Sequence, residues 1–236
     1  LLSGSILVAR LAPNNAYIPT FFLEKLIAIE PAFKAQIEIN NGILPNFDAI
    51  IIKTTNPSLL QYIKKYPHLI HKEKCSVAVL YGEETTDDLR KLGYDLFFNF
   101  GRCNKTVTKL FVPQTFDETK ILKAVEQFNI LAMHNKYMNN YEYNKSIYLV
   151  TQQKHLDNGF LMLKEDMSFK SPNAVVFYEK YSEISDVRNK LDENKETILH
   201  VASNKQDFTN KVIPLGETYK IQKNEYFKTI SFIQTL

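Results

Sequence analysis

The sequence predicts an α/β fold built on an open, largely parallel sheet. Two apolar runs, Phe47–Ile52 and Ser76–Leu80, are nearly continuous, which is typical of strands covered on both faces. Helical patterns alternate with strands through the first half of the chain, as expected of a parallel sheet. Of the 236 residues, 44% are hydrophobic and 23% charged, so the chain can bury a core of its own.

The first third of the chain has the predicted order strand, helix, strand, strand, helix. The first helix, over residues 17–30, ends at Pro31, and its apolar positions should face inward. These positions are Phe21, Phe22, Leu26, Ile27 and Ile29. The other predicted elements are strands over 5–11, 35–39 and 47–52 and a helix over 57–66. This order is typical of a nucleotide-binding sheet.

The rest of the chain continues the alternation. The strand over 76–80 precedes a helix over 85–100, which has acids in its first turn and Leu89, Leu92 and Leu96 on one face. Thr115 and Glu118 have the spacing of a capping box and should begin the next helix. The remaining predicted elements are strands over 107–112, 159–163, 174–178 and 197–202 and a helix over 184–193.

Composition and charge narrow the class of protein. The 29 basic and 26 acidic residues are interspersed, which gives little support to nucleic-acid binding. No apolar run approaches the roughly 20 residues of a membrane span. Only two cysteines occur, Cys75 and Cys103, and reduced thiols in the cytoplasm are the simplest interpretation. The chain enters a buried strand almost at once without a signal-peptide pattern, so we expect N-terminal sequence to precede it.

Cys103 is the strongest candidate for chemistry in the sequence. It lies between a predicted helix and a predicted strand, beside the cations Arg102 and Lys105, a setting that favours a nucleophilic thiolate. The alternative is a small residue in a buried turn. His68, His71 and Cys75 have spacings compatible with metal ligation, but no fourth ligand accompanies them, so we interpret them as surface polar residues near Pro67.

Two further patterns bear on the binding of nucleic acids and nucleotides. The Asn- and Tyr-rich stretch 135–148 resembles a stacking surface for single-stranded RNA, but it has few cations, and a hydrogen-bonded helix and loop is the better interpretation. The seven glycines contain neither a Gly-x-Gly-x-x-Gly fingerprint nor a Gly-x-Ser-x-Gly motif. A bound nucleotide would therefore not use the usual glycine-rich loop.

Several segments together resemble one family, the fatty-acyl-CoA reductases of the bacterial-luminescence type in their Bacteroidetes-like branch. This family belongs to the aldehyde dehydrogenase superfamily, and the resemblance is strongest from about residue 66 to 180. The segments are 76–85 (SVAVLYGEET), 100–103 (FGRC), 109–113 (KLFVP), 135–145 (NKYMNNYEYNK) and 156–166 (LDNGFLMLKED).

The resemblance implies an aldehyde-dehydrogenase-like fold and NADPH-dependent reduction of a fatty acyl-CoA to aldehyde through a cysteine thioester. Arg10 would take the place of the family's lysine at the adenosine ribose, and Glu165 that of the acid at the nicotinamide ribose. Thr54 and Thr55 stand in the family's Thr-Gly-Ser cofactor loop, without its glycine. The implied lobes are a cofactor lobe over 1–75, a catalytic lobe over 76–170 and a C-terminal return over 171–236.

The resemblance leaves the position of the nucleophile open. The family reads Phe-Gly-Leu-Gly-Cys-Arg-Asn-Val-Ser-Lys, and counting back from Lys109 without a gap puts Asn104 at the catalytic position. A shift of one residue restores Cys103, so both are candidates. The alternative function is a degenerate, non-catalytic relative that binds an acyl group or a protein partner. The oligomeric state stays open, a homo-oligomer included.

Overall fold

The computed structural model describes residues 4–11, 16–40, 46–54, 56–71, 73–208, 212–220 and 227–235. The chain divides into two compact units, a first unit of residues 1–72 with 222–236 and a second unit of residues 73–221. None of the helices in these ranges is long and apolar enough to cross a membrane.

Strands and helices alternate along most of the chain, as an α/β fold requires. The strands are β1 (Leu7–Ala9), β2 (Ile37–Ile39), β3 (Ile50–Ile52), β4 (His68–Ile70), β5 (Cys75–Val79), β6 (Val107–Pro113), β7 (Leu156–Asp157), β8 (Met162–Glu165), β9 (Val175–Tyr181), β10 (Ile198–Ala202) and β11 (Val212–Ile213). The α-helices are α1 (Tyr17–Ile29), α2 (Pro57–Ile63), α3 (Thr86–Phe97), α4 (Thr119–Ala124), α5 (Asn135–Val150), α6 (Ile184–Glu193) and α7 (Phe227–Gln234).

A seven-stranded sheet in the order β11-β10-β5-β6-β9-β8-β7 forms the centre of the second unit. All its neighbouring strands are parallel except β7 and β8. Every residue of β5 is buried, because alternate side chains face opposite layers. Ala78 packs with residues of α3, α4 and α5, whereas Val77 and Val79 pack with Val187 and Leu191 of α6. The predicted α/β class with a parallel sheet is confirmed.

The expected capping box at Thr115 and Glu118 is wrong. The helix α4 begins at Thr119, and Asp117 Oδ1 accepts from the backbone amide (3.0 Å) and hydroxyl (2.7 Å) of Thr119. A short acidic side chain that bonds its own backbone two residues on competes with a cap formed further upstream. The capping box forms instead at α3, between Thr85 and Asp88.

Helix α5 contains most of the Asn- and Tyr-rich stretch. Tyr137, Tyr141 and Tyr148 are buried, and their spacing along the helix places them on the face that contacts the sheet. Tyr141 Oη donates to Asp157 Oδ1 at 2.6 Å. Most of the aromatic rings of this stretch therefore belong to the core, and they do not form a surface on which RNA bases could stack.

The first unit contains two separate parallel pairs, β1 with β2 and β3 with β4. The expected burial of α1 is wrong: none of its residues is buried, and Phe22 and Ile29 are 61% and 81% exposed. The expected cover on both faces of the strand at 47–52 is also not found, since Ile51 is 43% exposed. An apolar pattern selects a face of a helix or strand, but another element has to cover that face.

Candidate functional site

Cys103 lies in the cysteine loop, which we define as residues 98–106 between α3 and β6. Its thiol is half-buried, and Sγ is 3.4 Å from Asn104 Oδ1, to which it can donate. The backbone amide of Lys105 donates to Sγ at 3.5 Å. The sulfur is therefore reachable from solvent and is surrounded by polar groups that can hydrogen-bond to a thiol or a thiolate.

Three consecutive residues near the start of the loop lie in the left-handed region. The φ angles are 49° at Asn99, 56° at Phe100 and 72° at Gly101. Such angles are unfavourable for a bulky residue such as phenylalanine, so the surrounding structure has to stabilise them. The ring of Phe100 stacks on His134, with centroids 4.1 Å apart. A Cβ at position 101 would lie 2.7 Å from Asn173 Oδ1, so the turn requires glycine there.

Two buried hydroxyl groups fix the two ends of the loop. Ser76 Oγ, on β5, donates to the backbone oxygen of Asn104 at 3.0 Å. Thr106 Oγ1 donates to the backbone oxygen of Phe98 at 3.1 Å. These bonds hold the backbone on both sides of Cys103, because a buried hydroxyl is costly to leave unpaired.

The two cations near Cys103, Arg102 and Lys105, have different surroundings. Arg102 is exposed, whereas Lys105 is half-buried and its Nζ donates to the backbone oxygen of Lys220 at 3.3 Å. Lys105 therefore connects the cysteine loop to a distant segment of the same unit. The sequence around Cys103 does not reveal this connection, because Lys220 lies far away along the chain.

A small cavity of about 10 Å³ adjoins the loop. Its walls include Gly101 and Thr106 of the loop, Tyr137 of α5 and Asn173 before β9. No described residue hydrogen-bonds to Tyr137 Oη or to either side-chain amide atom of Asn173. Burial raises the pKa of Tyr137, so this hydroxyl stays protonated and can both donate and accept.

The cofactor candidates of the first unit lie at the carboxyl ends of parallel strands. Arg10 directly follows β1 and is exposed. Thr54 follows β3, and its Oγ1 accepts from the backbone amide of Asn56 at 3.1 Å. Thr55 lies outside the described residues. Carboxyl ends of parallel strands are where open α/β sheets bind ligands.

Glu165, the cofactor candidate of the second unit, is the exposed last residue of β8. Strand register pairs it with Tyr178 of β9, which in turn pairs with Leu110 of β6. Glu165 therefore lies two strands from β6 and level with the middle of that strand. The cysteine loop ends before β6 begins at Val107, so the two candidates occupy different parts of the second unit.

Of the three residues with metal-ligand spacing, Cys75 does not lie on the surface as expected, because it begins the buried strand β5. Cys75 is buried, and its Sγ donates to the backbone oxygen of Thr197 at 3.7 Å. His68 Nδ1 lies 2.8 Å from the backbone oxygen of Tyr66. Within the described ranges, no group of three or more His, Cys, Asp and Glu side chains could hold a metal ion.

Sequence reasoning missed Asp95, a fully buried carboxylate on α3. Burial raises its pKa to about 6, although hydrogen bonds from Gly216 and Thr218 act in the opposite direction. The sequence held one signal: Asp95 follows Leu92 by three residues and therefore shares the apolar face of the helix.

Lys109 on β6 was also missed as a buried charge. Its Nζ lies 2.8 Å from Glu179 Oε2 and also donates to the backbone oxygen of Asp166. Burial lowers the pKa of Lys109. Lys190 of α6 forms a second ion pair with the same carboxylate, also at 2.8 Å. A lysine inside an apolar strand such as 107–112 could have signalled a buried partner.

Comparison with known proteins finds similarity in the fold rather than in the sequence. No family model matches the sequence, and the search of curated proteins found no match. Solved aldehyde dehydrogenases do match. Aldehyde dehydrogenase 21 from Physcomitrella patens shows 12% identity and a TM-score of 0.66, covering 93% of this chain and 56% of that one.

Two further solved structures agree. An NAD-dependent aldehyde dehydrogenase from Sinorhizobium meliloti shows 8% identity and a TM-score of 0.53, covering 89% of this chain and 49% of that one. AldH from Staphylococcus aureus shows 12% identity and a TM-score of 0.50, covering 73% and 46%. The chain thus spans about half the length of these structures. It has an aldehyde-dehydrogenase-like α/β fold.

Proposed function

We propose that the chain is the thiol-bearing part of an oxidoreductase that reduces a fatty acyl-CoA to the aldehyde with NADPH. The observation that carries the proposal is the half-buried Cys103 sulfur, which lies on a constrained loop between the amide groups of Asn104 and Lys105. The aldehyde-dehydrogenase-like fold supports oxidoreductase chemistry at a cysteine. The resemblance to luminescence-type reductases supports an acyl-CoA as substrate.

In this proposal the Cys103 thiolate attacks the thioester carbonyl of the acyl-CoA. The carbon–sulfur bond to coenzyme A breaks, coenzyme A leaves as its thiolate, and the acyl group stays on Sγ as a new thioester. Negative charge develops on the carbonyl oxygen during the attack. The Asn104 carboxamide faces Sγ with its acceptor Oδ1, so a rotation about the Cβ–Cγ bond would bring Nδ2 to this side, where it would donate to that oxygen.

NADPH, when bound, supplies the hydride that converts the enzyme-bound thioester to aldehyde and returns the thiolate. The donor set of the first unit suits a nucleotide, because Arg10 offers an exposed guanidinium and Thr54 a hydroxyl proton at the ends of parallel strands. Residues 53–56 contain no glycine, so side chains rather than closely approaching backbone amides would hold the phosphates. Thr55 and Glu165 stay cofactor candidates on the resemblance alone.

A non-catalytic relative is the second candidate function. It is favoured by the same residues 53–56 and by the short helix α2, which Asn56 caps through bonds to the amides of Ser58 and Leu59. With its cap amides already occupied by Asn56 and only seven residues, α2 provides no evident phosphate site. In this case the chain would bind an acyl group or a protein partner without turnover.

The test is the intact mass of the full-length protein after mixing with palmitoyl-CoA and no reductant. We expect one palmitoyl adduct that maps to Cys103 and disappears when NADPH is added. Cys103→Ser should abolish the adduct, whereas Cys75→Ser should keep it, because Cys75 is buried. A folded protein that forms no adduct would refute the reductase and favour the non-catalytic relative. If the chain is a reductase, NADPH should also raise its melting temperature, whereas a non-catalytic relative should show no shift.

A further inference from the structure

A segment near the end of the second unit lies across α3. We call this segment, residues 214–220, the strap; it directly follows β11. Its Leu215 is buried in the same core cluster as Leu92 and Leu96 of α3. A Cβ at Gly216, where φ is 83°, would lie 2.9 Å from Cβ of Lys91. The strap backbone therefore contacts the helix directly.

Asp95 is the point on α3 to which the strap is bonded. The backbone amide of Gly216 donates to Oδ2 at 2.6 Å, and the amide and hydroxyl of Thr218 donate to Oδ1 at 2.9 and 2.8 Å. Asp95 and Thr218 are both fully buried. Buried bonds to a carboxylate are among the stronger hydrogen bonds in proteins, so this junction fixes the middle of the strap.

The far end of the strap contacts the cysteine loop at two places. The ring of Tyr219 stacks on Phe98, with centroids 5.3 Å apart and planes 30° apart. The backbone oxygen of Lys220 accepts from Lys105 Nζ at 3.3 Å. These contacts lie on either side of Cys103, one five residues before it and one two residues after it.

We propose that the strap holds the cysteine loop in the conformation that presents Cys103 Sγ, and that Asp95 is the positioning residue that fixes the strap. The reason is the left-handed backbone at Asn99 and Phe100, which persists only where outside contacts stabilise it. The strap supplies two such contacts. The role of the strap in acyl transfer rests on the proposed function, but its effect on the loop does not.

The test compares strap variants by the rate at which iodoacetamide alkylates each cysteine, read by peptide mass. Asp95→Asn places an N–H group opposite at least one strap donor, and Tyr219→Leu removes the ring stack without touching Asp95. Matched controls are Asp87→Asn, an exposed acid on α3, and Tyr143→Leu, which is 67% exposed on α5. Buried Cys75 reports unfolding of the unit within each sample.

Both strap variants should alkylate Cys103 at least about threefold faster than the wild type, because the loop opens locally, while Cys75 stays protected. Both controls should match the wild type. Unchanged Cys103 rates, or Cys75 rates that rise in parallel in both variants, would overturn the proposal.

A second arm uses palmitoyl-CoA in place of iodoacetamide. Loss of positioning should lower the adduct on Cys103 in the strap variants even as alkylation rises, a combination that greater exposure alone would not give. If the wild type forms no adduct, the proposed function fails, and the alkylation rates still decide on the strap.

Discussion

Replacing Tyr137 with phenylalanine tests how the small cavity beside the cysteine loop is filled. The substitution removes one hydroxyl group and leaves the ring, which is 2% exposed, in the core. The cavity is about 10 Å³ in volume, and a single water needs about 10–15 Å³ and two to four polar partners. Tyr137 Oη and the two amide atoms of Asn173 provide three such partners. We therefore expect one ordered water to bind here.

The two possibilities for Tyr137→Phe differ in sign. If the hydroxyl bonds to a water, its removal loses one hydrogen bond and lowers the free energy of unfolding by about 1 kcal/mol. If the hydroxyl is left without a partner, its removal relieves a desolvated group and raises the free energy of unfolding by about 1–3 kcal/mol. The gap between these outcomes exceeds the error of a careful unfolding measurement.

The assay is urea unfolding at pH 7, followed by circular dichroism, with Tyr143→Phe as control. The Tyr143 side chain is 67% exposed, so its variant should lie within about 0.5 kcal/mol of the wild type. We expect Tyr137→Phe to be less stable than the wild type. A variant that is more stable by about 1 kcal/mol would refute the bound water and the three-partner geometry.

Three further predictions concern stability. Because the folded pKa of Asp95 is about 6 against an ordinary 3.8, the folded state binds this proton more tightly. The contribution of protonated Asp95 to the free energy of unfolding is therefore complete below about pH 4 and is lost as the pH rises through about 6, a loss of about 3 kcal/mol. Urea titrations at pH 4 and 7.5 should show this loss in the wild type, and Asp95→Asn should abolish it. Glu179→Gln leaves Lys109 without its carboxylate and should lower the free energy of unfolding by about 3–5 kcal/mol. Lys109→Met leaves Glu179 paired with Lys190 and should lower it by less than about 2 kcal/mol. Equal losses of stability in thermal unfolding would contradict the network. Thr85→Ala removes the α3 cap and should cost about 1 kcal/mol by urea midpoint, while Thr115→Ala, at the capping box that does not form, should cost less.

The two central strands β5 and β6 were predictable because most of their residues are buried. Such strands read as apolar runs whatever their neighbours are, so β5 and β6 were found within a residue or two. The helix predicted at 184–193 coincides with α6, whose Val187 and Leu191 lie one turn apart on its buried face. In each case the signal is local, since burial is determined by residues within one element.

The packing of the first unit could not be predicted in the same way. Periodicity selected an apolar face on α1, but whether another element covers that face depends on residues far away in the chain. Phe22 is 61% exposed although its position in the pattern is that of a core residue. The strap has the same character: its bonds join Asp95 to residues more than 120 positions later. Hydrogen bonds between residues so far apart in the chain produce no periodic pattern of apolar residues that could predict them.

The resemblance offers two positions for the nucleophile of the proposed function, and the cysteine loop explains why. A slip of one residue within β6 would turn Lys109 away from Glu179, because neighbouring side chains of a strand face opposite sides. The loop before the strand has no such alternation, so a difference of one residue there does not reverse the side on which a whole run of side chains lies. The alignment with the family that starts from Lys109 is therefore fixed by the structure only back to Val107, where β6 begins.

Beyond that point, chemistry rather than counting distinguishes Cys103 from Asn104. A carboxamide does not attack a thioester, whereas a thiolate does. Ser76 holds the Asn104 backbone, and the Asn104 side chain accepts from Sγ through Oδ1, so its amide nitrogen would need a rotation about Cβ–Cγ to act as a donor there. In the proposed function the sulfur is the acyl acceptor and the rotated carboxamide its neighbouring donor, so Asn104→Ala should slow acyl transfer without preventing alkylation of Cys103.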